Sequence, residues 1–172
     1  FFKKNKISIK NIIKGNKNNK FILNSNLFQN YYNEEVNQYC NWLSEFLVIK
    51  KEWDKFGIKY IFHKSTGKFP YLSDNLDILV KEKDFVKSGN ILMDLGYTNL
   101  RNIQEQHKEF YRKFDGDRAV CPIHLHSRVC WSVPYEDNEH LWSNHRVSKN
   151  DSLISFPSND DAILINIAHC FL

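Results

Sequence analysis

From Glu34 to Phe56 apolar residues recur at spacings of three and four: Val36, Tyr39, Cys40, Leu43, Phe46, Leu47, Trp53 and Phe56. That period predicts an amphipathic helix, with Gly57 as its C-terminal stop. Ile58-Lys59-Tyr60-Ile61-Phe62 then predicts a short strand, Ser65-Thr66-Gly67 and Pro70-Tyr71 a connecting loop, and Leu76 to Val80 a second, largely buried strand. Asp84 is placed to open a helix reaching about Leu95, with Phe85, Leu92 and Leu95 facing inward and Gly96 ending it. Tyr97 to Arg101, Glu109 to Phe114 and Val120 to Val129 are expected strands, the last two joined by an Asp115-Gly116-Asp117 turn. Asn138 to Arg146 predicts a short helix. Asp160 and Asp161, after Ser158-Asn159, suit the positive end of a final helix bearing Ile163, Leu164 and Ile167. The order of elements implies a mixed sheet with helices packed on it, in the α+β class or the neighbouring α/β class. No internal repeat is visible.

Composition narrows the picture. A chain of 172 residues, 42% hydrophobic and 15% aromatic, carries enough apolar surface for one folded domain. No apolar run approaches the roughly 18–20 residues that span a bilayer, and nothing resembles a secretion signal, so a cytoplasmic protein without a membrane partner is expected. Residues 1–20 hold seven lysines and no acidic residue; against a formal net charge of +4, that leaves the rest of the chain at −3. Residues 1–30 are therefore expected to be a Lys/Asn-rich leader, poorly ordered or peripheral, ahead of a domain over 31–172. A solvated terminus is the plain reading of that leader, and an anchor for nucleic acid the sharper but disfavoured one. Cys40, Cys121, Cys130 and Cys170 fit no disulfide framework and are expected to be reduced. The missing initiator Met and the apolar ending suggest a fragment, truncated at its C-terminus.

Two stretches carry candidate chemistry. In Ser73-Asp74-Asn75-Leu76-Asp77-Ile78-Leu79-Val80, strand alternation puts Asn75, Asp77 and Leu79 on one face and Leu76, Ile78 and Val80 on the other. Asp77 then lies among apolar neighbours, where a carboxylate needs a metal, a partner charge or several hydrogen bonds. The bland alternative is an Asp capping a turn at the strand's exposed start. In Cys121-Pro122-Ile123-His124-Leu125-His126-Ser127-Arg128-Val129-Cys130, the same alternation gathers His124, His126 and Arg128, with Ile123, Leu125 and Val129 toward the core. Two imidazoles two apart on a strand are able to share a metal, and Zn2+ or Mn2+ suits them better than Mg2+. Polar edge residues bonded to backbone or carboxylate are the alternative. Cys121 falls on the opposite face, so a four-ligand zinc site is not expected.

Lys64-Ser65, the loop ending in Pro70-Tyr71 and the Asp74-Asn75-Leu76-Asp77-Ile78-Leu79-Val80 strand together resemble the nucleotidyltransferase signature of the DNA-polymerase-β-like superfamily. More specifically, the stretch from about Ile58 to Leu172 resembles an uncharacterised nucleotidyltransferase family. The resemblance rests on Asn75 to Val80, Leu95-Gly96-Tyr97, His124-Leu125-His126 followed by Ser127-Arg128, Leu141-Trp142 and Ala168-His169, in that order. It implies transfer of a nucleotidyl group from an NTP to an acceptor, with Mg2+ or Mn2+ as cofactor. It also implies that Lys64, Ser65 and Ser73 meet the nucleotide, that Asp77, His124 and Asp74 are catalytic, and that Asp77, Asp74, Asn75, His124 and His126 supply metal ligands. The chain departs from the pattern at three points. Asn75 stands where the first strand carboxylate is usual, His124 where the third is, and no Gly precedes Ser65. Three outcomes follow: an enzyme with an incomplete acidic triad that uses Asp74, Asp77 and His124 with Mn2+ or one metal, a degenerate non-catalytic binding module on the same fold, or an antitoxin-like or regulatory module.

Overall fold

A computed structural model describes residues 25–64, 75–100, 104–131, 133–134, 138–147 and 154–171. Helix α1 (Asn26–Asp54) starts eight residues before the predicted pattern. Its buried stripe runs through Trp42, Phe46, Ile49 and Trp53, whereas Cys40, Leu47 and Phe56 are exposed. The chain leaves α1 through Gly57 at φ +66°, with Gly57 N–H donating to Asp54 O (3.1 Å) and Ile58 N–H to Trp53 O (3.1 Å). Those two bonds make a Schellman ending, for which a left-handed residue is needed.

Strand β1 (Tyr60–Phe62) and strand β2 (Leu76–Val80) follow; the loop between them, residues 65–74, lies outside the described residues. A 3-10 turn at Glu82–Asp84 leads into α2 (Phe85–Asp94), which ends in a second Schellman turn at Gly96, φ +88°. Then come β3 (Thr98–Leu100), β4 (Lys108–Arg112), a small hairpin of β5 (Phe114–Asp115) and β6 (Arg118–Ala119), and β7 (Ile123–His126). The predicted Asp115-Gly116-Asp117 turn is thus the tip of that small hairpin, with Gly116 at φ +58°. The pair β8 (Cys130–Trp131) and β9 (Val133–Pro134) precedes α3 (Asn138–Asn144). The chain continues through the pair β10 (Arg146–Val147) and β11 (Ser155–Phe156) to α4 (Asn159–Phe171).

The main sheet has the order β1-β2-β7-β4-β3. Only the central β2–β7 pair in it is parallel; β1–β2, β7–β4 and β4–β3 are antiparallel. This mixed sheet with helices against it is the expected α+β architecture. One face joins Tyr60, Phe62, Ile78, Val80, Ile123 and Leu125 to the α1 stripe and to Ile91 and Leu92 of α2. Phe46 packs edge-on against Tyr60 and Phe62 (centroids 4.9 and 4.8 Å). The other face carries a smaller apolar cluster of Ile61, Leu79, Val129, Leu141 and Ile165, which α3 and α4 close. Among the described positions of α4, Asp161, Ala162 and Ile165 are buried, while Ile163, Leu164 and Ile167 are exposed. Ser158 caps α4 with reciprocal bonds: Asp161 N–H donates to Ser158 Oγ (3.1 Å), and Ser158 O–H to Asp161 Oδ2 (2.6 Å).

Candidate functional site: a carboxylate among imidazoles and cations

Register and alternation decide what surrounds Asp77. In the parallel β2–β7 pair Asp77 lies beside His124, and Leu79 beside His126. On the far side of β7, Phe110 lies beside His124 and Lys108 beside His126. The β1–β2 ladder is prolonged by His63 N–H donating to Asp77 O (3.2 Å), so His63 sits across from Asp77 on its other flank. His63, just past β1, thus forms one row with Asp77, His124 and Phe110 of β2, β7 and β4, on the same sheet face as Ile61 and Leu79.

Asp77 gathers most of the polar contacts. The Lys64 ammonium lies 3.0 Å from Oδ1, His126 Nε2 3.1 Å from the same oxygen and His124 Nδ1 3.4 Å from it. Asn75 Nδ2 donates to Asp77 Oδ2 (2.8 Å) and lies 3.0 Å from His124 Nδ1. The His124 ring also lies tilted against Phe110 (centroids 4.4 Å), and its Nε2 lies 3.4 Å from the Arg112 guanidinium. His63 and His126 meet edge to face at 4.3 Å.

Burial by itself would push the Asp77 carboxyl up. Hydrogen bonds with His124 and His126, together with the Lys64 charge, outweigh it and hold the group well below the usual carboxylate range. The imidazoles shift the other way in charge. Burial foremost lowers His126 to about 4 and His63 well below 6.5, with Lys64 and Lys108 adding to both effects. His124 is lowered too, by burial first and then by Lys108 and Arg112 against the pull of Asp77. The site at neutral pH is one carboxylate anion, three neutral imidazoles and a surround of cations.

Of the residues expected from the sequence, Asp77, Asn75, His124, His126 and Lys64 come together here; Ser65, Ser73 and Asp74 lie outside the described residues. Arg128 was expected beside the two histidines, but β7 ends at His126. Arg128 turns outward, bonding Glu82 Oε1 at 2.6 Å, and Val129 joins the cluster on the histidine-bearing face. Cys121 is buried on the opposite face, as alternation requires, and the described cysteines Cys40, Cys121 and Cys130 are free thiols. Sequence reasoning missed His63, Phe110 and Arg112. His63 shares the parity of Ile61, and Phe110 and Arg112 share one parity along β4, but only the pairing registers bring those parities to Asp77.

His63, Asp77 and His126 each place one ligand atom within 4.8 Å of the others, and can hold a metal ion. The donor set is one carboxylate and two imidazoles. Paired Mg2+ ions call for several anionic oxygens, whereas imidazole donors suit Zn2+.

The fold and this cluster define an α+β domain with an ionised, buried carboxylate at the parallel junction of a mixed sheet. A family model described as uncharacterised nucleotidyltransferase matches residues 72–172, more than half of the chain, and the chain belongs to that family. The matched stretch begins just before β2, so β1 with His63 and Lys64 precedes it. No curated protein and no solved structure matches the chain. Among the described residues no helix is long and apolar enough to cross a membrane.

Proposed function

We propose that the chain transfers a nucleotidyl group from an NTP to an acceptor hydroxyl, on the sheet face that bears Asp77. The observation that carries this reading is a buried carboxylate on β2 of a family-matched domain, with Lys64 3.0 Å from it, Arg112 against His124 and Lys108 opposite His126. In the reaction the hydroxyl oxygen bonds to the α-phosphorus, the bond to the bridging oxygen breaks and pyrophosphate leaves. The hydroxyl gives up a proton, for which neutral His124 is the stronger base of the two; Asp77, held well below the usual carboxylate range, contributes charge rather than proton acceptance. Lys64, Lys108 and Arg112 hold the triphosphate oxygens by charge. A bound divalent cation would add neutralisation of phosphate charge. Pyrophosphate release from NTPs, assayed with Mn2+ and with Mg2+ over a panel of hydroxyl acceptors, tests the proposal. Asp77→Asn should lower turnover by ~100-fold or more, the scale of one lost electrostatic group at a reacting centre; unchanged turnover overturns it.

A second reading is favoured by Asn75 and His124, neutral groups where the family pattern has carboxylates: a binding module that keeps the nucleotide but not the reaction. Calorimetric NTP binding indifferent to Mn2+ and Mg2+, with no product formed, would select it.

A further inference from the structure

We propose that His63, Asp77 and His126 form a three-ligand site for one nitrogen-accepting divalent cation, best matched by Zn2+, with His124 outside the ligand set. The proposal goes beyond nucleotidyl transfer and stands whether or not the chain is catalytic. Three observations carry it.

The first is the donor set. Two imidazoles and one carboxylate are the ligands of a Zn2+ centre that keeps a fourth position open, and they are poor ligands for Mg2+. Their ligand atoms lie within 4.8 Å of one another. Donors on a tetrahedral Zn2+ at ~2.1 Å stand roughly 3.4 Å apart, so side-chain shifts of about an ångström close the set on an ion.

The second is His63. Its side chain is 1% exposed and packs against His126, yet Nδ1 has no hydrogen-bond partner among the described residues. Buried polar nitrogens are nearly always satisfied, and one beside a carboxylate and a second imidazole is placed to take an ion or a water. His124 differs: its Nδ1 is engaged by Asn75 and its Nε2 by Arg112, a neighbour that repels a second positive centre.

The third is Lys64. Its ammonium lies 3.0 Å from Asp77 Oδ1, the oxygen that His126 also contacts. In the metal-free protein this ammonium neutralises the carboxylate that the ion would take. Lys64 and the metal therefore compete for one oxygen, and removing the lysine charge should tighten metal binding. A residue that merely braced the fold would not produce that sign.

The test uses the full 172-residue chain, stripped with chelator and titrated calorimetrically with Zn2+, Mn2+ and Mg2+, with bound metal counted by mass spectrometry. Expected are one Zn2+ per chain, weaker Mn2+ and no Mg2+ at the same concentrations. His63→Ala and His126→Ala should each weaken Zn2+ at least tenfold, His124→Ala less than threefold, and Lys64→Met should tighten it several-fold. Should the alanine variants not fold, Co2+ added to the wild-type chain decides through the visible bands of a nitrogen-ligated ion of low coordination number. Absence of those bands, Mg2+ binding as tightly as Zn2+, or a loss on His124→Ala with none on His63→Ala overturns the proposal.

Discussion

At the scale of single residues, protonation is the sensitive quantity. His126 sits near 4 in the folded protein and His63 is also well below 6.5, while both titrate near 6.5 once unfolded. Between those values the unfolded chain binds protons that the folded one refuses. Stability therefore rises with pH across that window and falls as pH drops from about 6.5 toward 4. Each such histidine contributes a slope of about 1.4 kcal/mol per pH unit. Asp77, held below 3.8, adds a loss of the same sign at more acid pH, where the unfolded carboxyl takes up a proton first. Urea melts of chelator-stripped protein at pH 7.0, 6.0 and 5.0 should show a falling midpoint. His126→Gln, if it folds, should flatten the dependence, and an unchanged slope would mean that His126 is protonated in the native state.

Among the secondary-structure elements, close approach matters most where α2 meets β4. A Cβ on Gly89 would stand 2.1 Å from Tyr111 Oη, and that hydroxyl is bonded to the Glu109 carboxylate and lies 3.3 Å from Asn99 Nδ2. Alanine is the better helix former by about 1 kcal/mol, but Tyr111 is buried and tethered, so overpacking at ~1–3 kcal/mol prevails. Gly89→Ala is expected to lower the thermal midpoint; a midpoint at or above wild type would show that Tyr111 yields freely. Gly57 is the opposite case. Nothing lies within 4 Å of the position a Cβ would take there, so Gly57→Ala meets only the left-handed backbone penalty of ~1–2 kcal/mol. Denaturant melts should place that loss with the slope of the transition unchanged.

For the whole molecule, the central sheet serves two apolar clusters at once. Phe62 and Ile78 feed the face covered by α1 and α2, while Ile61 and Leu79, their immediate neighbours in the chain, feed the face closed by α3 and α4. A cavity on one face therefore loosens strands that the other face depends on. Leu141→Ala, which empties a fully buried position, should cost ~2–5 kcal/mol. Far-UV circular dichroism and tryptophan fluorescence, to which Trp53 in the opposite cluster contributes, should still melt together. Separate transitions would show that the two faces are independent.

Periodicity alone was enough for β2, where alternation assigned Asn75, Asp77 and Leu79 to one side and Leu76, Ile78 and Val80 to the other. It likewise assigned His124 and His126 together, away from Cys121, because side chains on a strand alternate whatever the strand pairs with. The glycines after α1 and α2 marked both helix ends for a similarly local reason, since a left-handed turn favours glycine. Helix faces were less legible: the stripe on α1 runs through Trp42 and Ile49 rather than Cys40 and Leu47, because many apolar residues ring that helix and packing on β1 selects among them. The family motifs located Asp77 in the chain. They did not locate its partners. That His63 joins it from just past β1, and that His126 and Lys64 reach the same carboxylate oxygen, were decided by registers between strands distant in sequence, while Arg128 turns away because β7 ends at His126. Local pattern sets which way a side chain points, but only the paired sheet sets what it meets.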